Sequence, residues 1–189
     1  LLDVAGAAAA GAVVLCHHAY DQAETVLLRL LPDRGPAGLA GMALRQGPWV
    51  RPLLECSRET LERHLVARGL SWWTDPANSD PRHLRSWLRR DVMPGLVSRL
   101  PDVVARLNGA ARQAAAARAA WNDLLPLIPD LDLRRDLRGI SVAAPALTGY
   151  RSPLRHAVLA AIAREFGVRA GSRRLQVLDR LLDRGQGSG

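Results

Sequence analysis

Apolar and polar positions along the chain fall into two alternating rhythms. Ala12-Val13-Val14-Leu15-Cys16 is a short unbroken apolar run, the pattern of a strand buried on both faces. Behind it, Ala23, Val26, Leu27 and Leu30 recur at helical spacing, with Asp21 placed as an N-cap and Glu24 three residues on. The residues before the run, 2–10, are Ala-rich and helix-compatible, and Gly11 closes them. Helix, strand and helix at these lengths are the grammar of a parallel α/β sheet.

Pro32 to Pro48 is dense in Gly and Pro and reads as loop, and Trp49–Leu54 as a short strand ending at an edge. Ser57 caps a helix predicted to run to Arg68, with Gly69 just past its end. Leu70–Trp73 reads as extended and Asp75–Asp80 as turn. Asp80-Pro81 signals the start of a further helix, which Pro94 is expected to interrupt. Pro101-Asp102 opens the longest helical stretch, Val103 to about Leu125, and Pro126 and Pro129 end it. Beyond it, Ser152-Pro153 starts a helix with an apolar stripe of Leu154, Ala157, Val158, Ala161 and Ile162. Ser172 starts the last one, with Leu175, Leu178, Leu181 and Leu182 expected inward. The resulting expectation is an α/β unit over residues 1–100, a long linking helix over 101–128 and a small all-α domain over 129–189.

Composition narrows the partner. All 26 basic residues are Arg, against 18 acids, for a formal net charge of +8. A genome rich in G and C explains Arg in place of Lys but not the excess of base over acid. Arg presents a planar fork suited to phosphates and base edges, so the balance favours a nucleic acid. Cys16 and Cys56 lie far apart and form no CxxC, which fits a reducing cytosol and supports neither a disulfide scaffold nor a zinc site. No apolar run is long enough to span a membrane, and the opening apolar stretch lacks the basic start of a signal peptide. These features predict a cytoplasmic protein with no membrane partner.

Two segments carry candidate chemistry. His17, His18, Asp21 and Glu24 lie where a strand gives way to a helix, the place where open parallel sheets bind ligands. The first turn of that helix would offer free N–H groups to an anion, and two carboxylates one turn apart can hold an ammonium group. Spacing alone leaves the alternative that Asp21 and Glu24 form a capping box and nothing more. A zinc site at His17, His18 and Asp21 is the poorer reading, because adjacent histidines rarely face one metal. The second segment is basic: Arg82, Arg85 and Arg89 share one helical face, followed by Arg90, with no acid until Asp91. His83, Trp87, Trp72 and Trp73 add planar groups suited to stacking on unpaired bases, so the cluster reads as an RNA contact. No GxxxxGK[ST], GxGxxG or SGGxDS loop is present.

Residues 17–25 resemble the HHxDDQAET segment of the tRNA(Ile)-lysidine synthetases, which are N-type ATP pyrophosphatases of the PP-loop class. Leu27–Leu31 continues the likeness, and Gly38-Leu39-Ala40-Gly41-Met42 is similar to that family's loop. Arg51-Pro52-Leu53-Leu54 is similar to its RPLL, Asp75–Asp80 to its DPxNxD, and Arg85 through Arg89 falls where it has RNxxR. Residues 145–189 are similar, in pattern rather than motif, to its small helical substrate-binding domain. The resemblance implies adenylation of the wobble cytidine of an isoleucine tRNA by ATP with Mg2+. The amino group of free lysine then displaces AMP to leave lysidine. On that pattern Asp21 and Glu24 hold the lysine amine, with Asp21 and His17 the catalytic pair. Arg82, Arg85, Arg89 and Arg90 contact the tRNA. No metal ligand is assigned, and a homodimer is one option for the oligomeric state.

The chain departs from the family in ways that define an alternative. The SGGxDS loop of the ATP site is absent from the sequence, so the chain reads as a fragment expected to be inactive alone. Tyr20 stands where the family has the first Asp of its DD pair, Pro32–Gly35 replaces its RGSG, and Ser86 replaces the Asn of RNxxR. The alternative is therefore a non-catalytic RNA-binding remnant of the same family. A thiolating relative would need reactive cysteines that Cys16 and Cys56 do not supply, and no compact helix-turn-helix supports a DNA-binding regulator.

Overall fold

The structure is a computed structural model that describes residues 10–31, 36–73, 83–136, 139–168 and 171–185. The chain divides into two compact units, one of Leu1–Pro32 with Gly38–Gln113, the other of Asp33–Ala37 with Ala114–Gly189.

In the first unit β1 is Val13–Val14 and leads through Leu15–His18 into α1, Ala19–Leu30. A 3-10 turn, Pro36–Ala40, precedes β2, Arg45–Gln46, and β3, Trp49–Val50. β3 lies in the middle of the sheet, parallel to β1 (Val13 opposite Trp49, Val14 opposite Val50) and antiparallel to β2. Gly47, at φ +57°, turns the β2–β3 hairpin, a conformation that glycine adopts without Cβ strain. The stretch 32–48 is thus not all loop as expected: β2 and the 3-10 turn lie within it. Nor is β1 buried on both faces, since Val14 is 60% exposed.

Ser57 caps α2, Arg58–Ala67, its hydroxyl accepting from the Thr60 N–H at 3.1 Å, and Gly69 follows at φ +65°. The basic segment starts as α3, Leu84–Trp87, winds as a π-turn over Leu88–Val92 and continues as α4, Met93–Arg99. Asp80, Pro81 and Arg82 lie outside the described residues. Pro94 does not interrupt the helix as expected. The Met93 N–H bonds to the Leu88 carbonyl five residues back, and Pro94 enters in the first turn of α4. The wider winding takes up the register that proline cannot serve. α5 follows over Val103–Leu124.

The core of this unit is Ala23, Leu88 and Met93, with Tyr20, Leu27, Leu96 and Leu107 packed around them. α1, the π-turn and α5 thus share one apolar cluster. The buried Asn108 of α5 donates to the Ala19 carbonyl at 3.0 Å and fixes the start of α1.

The second unit is not all helical. β4, Arg134–Asp136, pairs antiparallel with β5, Gly139–Ser141, ahead of α6, Pro145–Thr148, α7, Ser152–Glu165, and α8, Ser172–Gly185. Leu131, Leu133, Ile140 and Val142 alternate into its core, a period of two that the helical expectation overlooked. The inward stripes of α7 and α8 also differ from expectation. Leu154, Leu178 and Leu181 are exposed, while Arg155 and Asp179 are buried and hydrogen-bonded to each other at 2.5 Å. Leu175, Asp179 and Leu182 face α7, so an ion pair occupies inner positions that were expected to be apolar.

Candidate active site

The site begins where β1 ends. The Leu15 N–H extends the ladder to the Val50 carbonyl at 2.8 Å, and the chain then turns into α1. The N-cap is His18, not Asp21. The His18 Nδ1 accepts from the Tyr20 N–H at 3.2 Å, and the Asp21 carboxylate accepts from the His18 N–H at 3.0 Å. Asp21 therefore closes a capping box from inside the helix. The Ala19 N–H donates to the Cys56 carbonyl at 2.9 Å. The N–H groups of Ala19 and Tyr20, expected to be open to an anion, are both taken.

Glu24 lies one turn beyond Asp21 and is fully buried, at 0% exposure. It meets the basic segment. Arg89 donates from Nε to the Glu24 Oε1 at 2.6 Å, and from Nη2 to the Glu24 Oε2 at 2.8 Å and the Asp21 Oδ1 at 2.7 Å. Arg85 donates from Nε to the Glu24 Oε2 at 3.0 Å and reaches the Asp21 Oδ1 at 3.4 Å. Two carboxylates and two guanidinium groups thus form one balanced cluster, with the buried oxygens each satisfied. The Arg89 pKa is lifted, chiefly by its hydrogen bond to Glu24. Residues 85 and 89 lie four apart on one face of the basic segment and so reach the same pair of acids.

His17 flanks the cluster, with a Nδ1 that is buried and makes no hydrogen bond. Burial lowers its pKa, Asp21 opposes that effect, and the charges of Arg85, Arg51 and His18 add to the lowering. These effects together favour the neutral imidazole. Tyr20 turns toward the apolar core cluster, and its phenol pKa is raised by burial and then by Glu24.

Sequence reading brought forward His17, Asp21, Glu24, Arg85 and Arg89, and these five converge. Arg90 does not join them; it pairs with its neighbour Asp91 at 2.8 Å on an exposed surface. Arg82 lies outside the described residues. Several residues of the surroundings were missed. Gln22 bonds the Met42 backbone in both directions, at 2.9 and 2.8 Å, and pins the loop at Gly41. Gly41 sits at φ +63° with the Gln22 amide 2.7 Å from where a Cβ would stand, so both shape and sign of φ demand glycine. Arg51, 9% exposed, holds the Ala43 carbonyl at 3.0 Å. The available signal was the Gly-rich loop and the RPLL motif, which carried no chemistry by themselves. Among the described residues no group of three His, Cys, Asp or Glu is placed to hold a metal ion, and no helix is long and apolar enough to cross a membrane.

Residues 1–96 match the family described as PP-loop domain. The tRNA(Ile)-lysidine synthase of Salinispora arenicola is 40% identical over 200 residues, covering 100% of this chain and 59% of that protein. That of Pseudomonas aeruginosa is 47% identical over 129 residues, covering 66% of this chain and 28% of the relative. That of Alkalilimnicola ehrlichii is 44% identical over 117 residues, covering 60% and 26%. The chain spans 59% of the length of the Salinispora relative that it matches throughout. With more than half its length inside the matched domain and relatives that are tRNA(Ile)-lysidine synthases, the chain belongs to the PP-loop domain family.

Proposed function

We propose that this chain takes part in the ATP-dependent joining of lysine to the wobble cytidine of an isoleucine tRNA, with Asp21 and Glu24 as the groups that meet the lysine amine. The observation that carries the reading is the cluster itself. Two acids at the end of a parallel strand hold two cationic side chains, which is the charge pattern an ammonium group would find. Glu24 has no exposed surface while Arg85 and Arg89 are in place. The incoming ammonium therefore displaces a guanidinium rather than entering an empty pocket. The displaced arginine, long and always charged, is then free for tRNA phosphate. Arg90, exposed on the same segment, and Arg82 are the further tRNA contacts in this reading.

In this reading His17, whose pKa burial lowers, accepts the proton that the amine must lose before it attacks. ATP, supplied with Mg2+, would activate the cytidine as an adenylate. In this reading Asp21, Glu24 and His17 act on the amine, and the arginines of the basic segment act on the tRNA. Cytoplasmic location follows from the substrate, and a homodimer remains one option for assembly.

Calorimetry with L-lysine in the presence of an isoleucine tRNA bearing a wobble cytidine tests the reading. The wild-type chain is expected to bind lysine, and Asp21→Asn to weaken that binding at least about tenfold, as loss of a charge-assisted contact should. No lysine binding by the wild type with tRNA present would overturn it. The second reading, an RNA-binding remnant, is favoured by Tyr20, which packs into the core where the family pattern has a carboxylate. Tight tRNA binding without any lysine binding would select it.

A further inference from the structure

Arg51 and His17 remain unexplained by the amine cluster. Arg51 follows β3 and His17 lies just beyond β1, and the two strands are neighbours, parallel and in register at Val14 and Val50. Both side chains therefore sit at the carboxyl ends of adjacent parallel strands, where open sheets bind ligands. Arg51 is 9% exposed, yet among the described residues its guanidinium makes a single side-chain hydrogen bond, from Nη1 to the Ala43 carbonyl at 3.0 Å. Its Nε is buried without a partner, and so is the His17 Nδ1. A buried cation with no acid paired to it among the described residues is costly to keep, and so is a buried polar atom without a bond. The Asp21 charge acts on His17, but its carboxylate is already shared with Arg85 and Arg89.

We propose that Arg51 and His17 form an oxyanion subsite beside the Asp21–Glu24 cluster, built to take a carboxylate or phosphoryl oxygen. This rests on the amine-binding reading above and extends it: the cluster takes the cationic end of a reactant, and Arg51 takes an anionic group next to it. A guanidinium with free donors matches an oxyanion in shape and charge, and a neutral imidazole adds one N–H. The anion has two possible sources, the carboxylate of the amino acid or a phosphoryl group of the activated nucleotide.

His17 reports on the subsite from within. Its titration, followed by NMR of the ring protons in the whole chain, responds to its burial and to the charges of Asp21, Arg85, Arg51 and His18 around it. Saturating inorganic phosphate or L-lysine, added separately, is expected to raise the His17 pKa by about one unit, the effect of a negative charge within reach. A response to phosphate assigns the phosphoryl source. A response to L-lysine but not to cadaverine, which has the amines without the carboxylate, assigns the amino acid. Arg51→Gln is expected to abolish the response and Arg51→Lys to keep part of it, with amide spectra recorded for both to check the fold. If Arg51→Gln does not fold, the wild-type and Arg51→Lys titrations decide. The proposal is overturned if neither phosphate nor L-lysine moves His17, or if the response survives in Arg51→Gln. If lysine and cadaverine bind alike at the carboxylates and no anion moves His17, this inference alone fails. If phosphate moves His17 and lysine never binds, it is the amine reading that fails.

Discussion

A carboxylate with no exposed surface, Glu24, accepts hydrogen bonds from two arginines that lie more than sixty residues away. Replacing it by Gln would leave both guanidinium groups without their main anion. Breaking a buried ion pair costs about 3–5 kcal/mol; with the side chains of Arg85 and Arg89 still 39% and 33% exposed, we expect the lower part of that range or less, about 2–3 kcal/mol. Urea unfolding of Glu24→Gln checks it, and a loss under about 0.5 kcal/mol would show that the cluster does not hold α1 to the basic segment. His17 gives a pH dependence of known sign. Its folded pKa is lowered, so as pH falls below the ordinary value of 6.5 the unfolded chain binds a proton that the folded chain refuses. Stability from this group is therefore lost on acidification and does not change at higher pH. His17→Gln is expected to show a smaller fall in urea midpoint between about pH 7 and pH 5 than the wild type. Asp21 and Glu24 were legible as chemistry because two acids follow two histidines at a strand end. Their partners were legible only as bases, since nothing in a local pattern says which acid an arginine will find.

At the scale of elements, caps and glycines translated directly from sequence to structure. Ser57 caps α2 and Gly69 closes it, both as expected, because a hydroxyl and a missing Cβ act on their own backbone. Ser57→Ala should cost about 1 kcal/mol, read from the thermal midpoint. Gly41 is a different case, since its neighbour Gln22 comes from another element. Gly41→Ala adds a Cβ at 2.7 Å from the Gln22 amide on a left-handed backbone, and a loss of about 2 kcal/mol or more is expected. Hydrogen exchange at the Met42 amide, which donates to Gln22 at 2.8 Å, should speed up with it; unchanged protection would mean the loop is held elsewhere. The basic helix escaped a local reading. Pro94 suggested a break, yet a π-turn carries the helix through it, and which acids Arg85 and Arg89 would meet was not legible from their shared face.

Over the whole molecule the excess of base is carried by arginine alone, 26 residues with no lysine. Arginine does not lose its proton below about pH 12, so this positive charge does not titrate in the alkaline range. If the proposed tRNA partner is right, its affinity should change less than about twofold between pH 7.5 and 9, while it falls steeply with added salt. A filter-binding series over both variables checks this, and a marked loss between those pH values would assign the binding to other groups. The sequence by itself determined what depends on neighbours along the chain. That includes the α/β beginning, the capped helix after residue 57, the positive charge, and the family to which residues 1–96 belong. Only the tertiary structure decided that Arg85 and Arg89 turn onto Asp21 and Glu24, and that Arg155 and Asp179 take inner positions expected for leucine. It also decided that Arg51 ends buried with its Nε unpartnered. The reason is that a periodic pattern records how often a side chain faces the core, whereas ion pairing depends on which distant segments the backbone brings within about 3 Å.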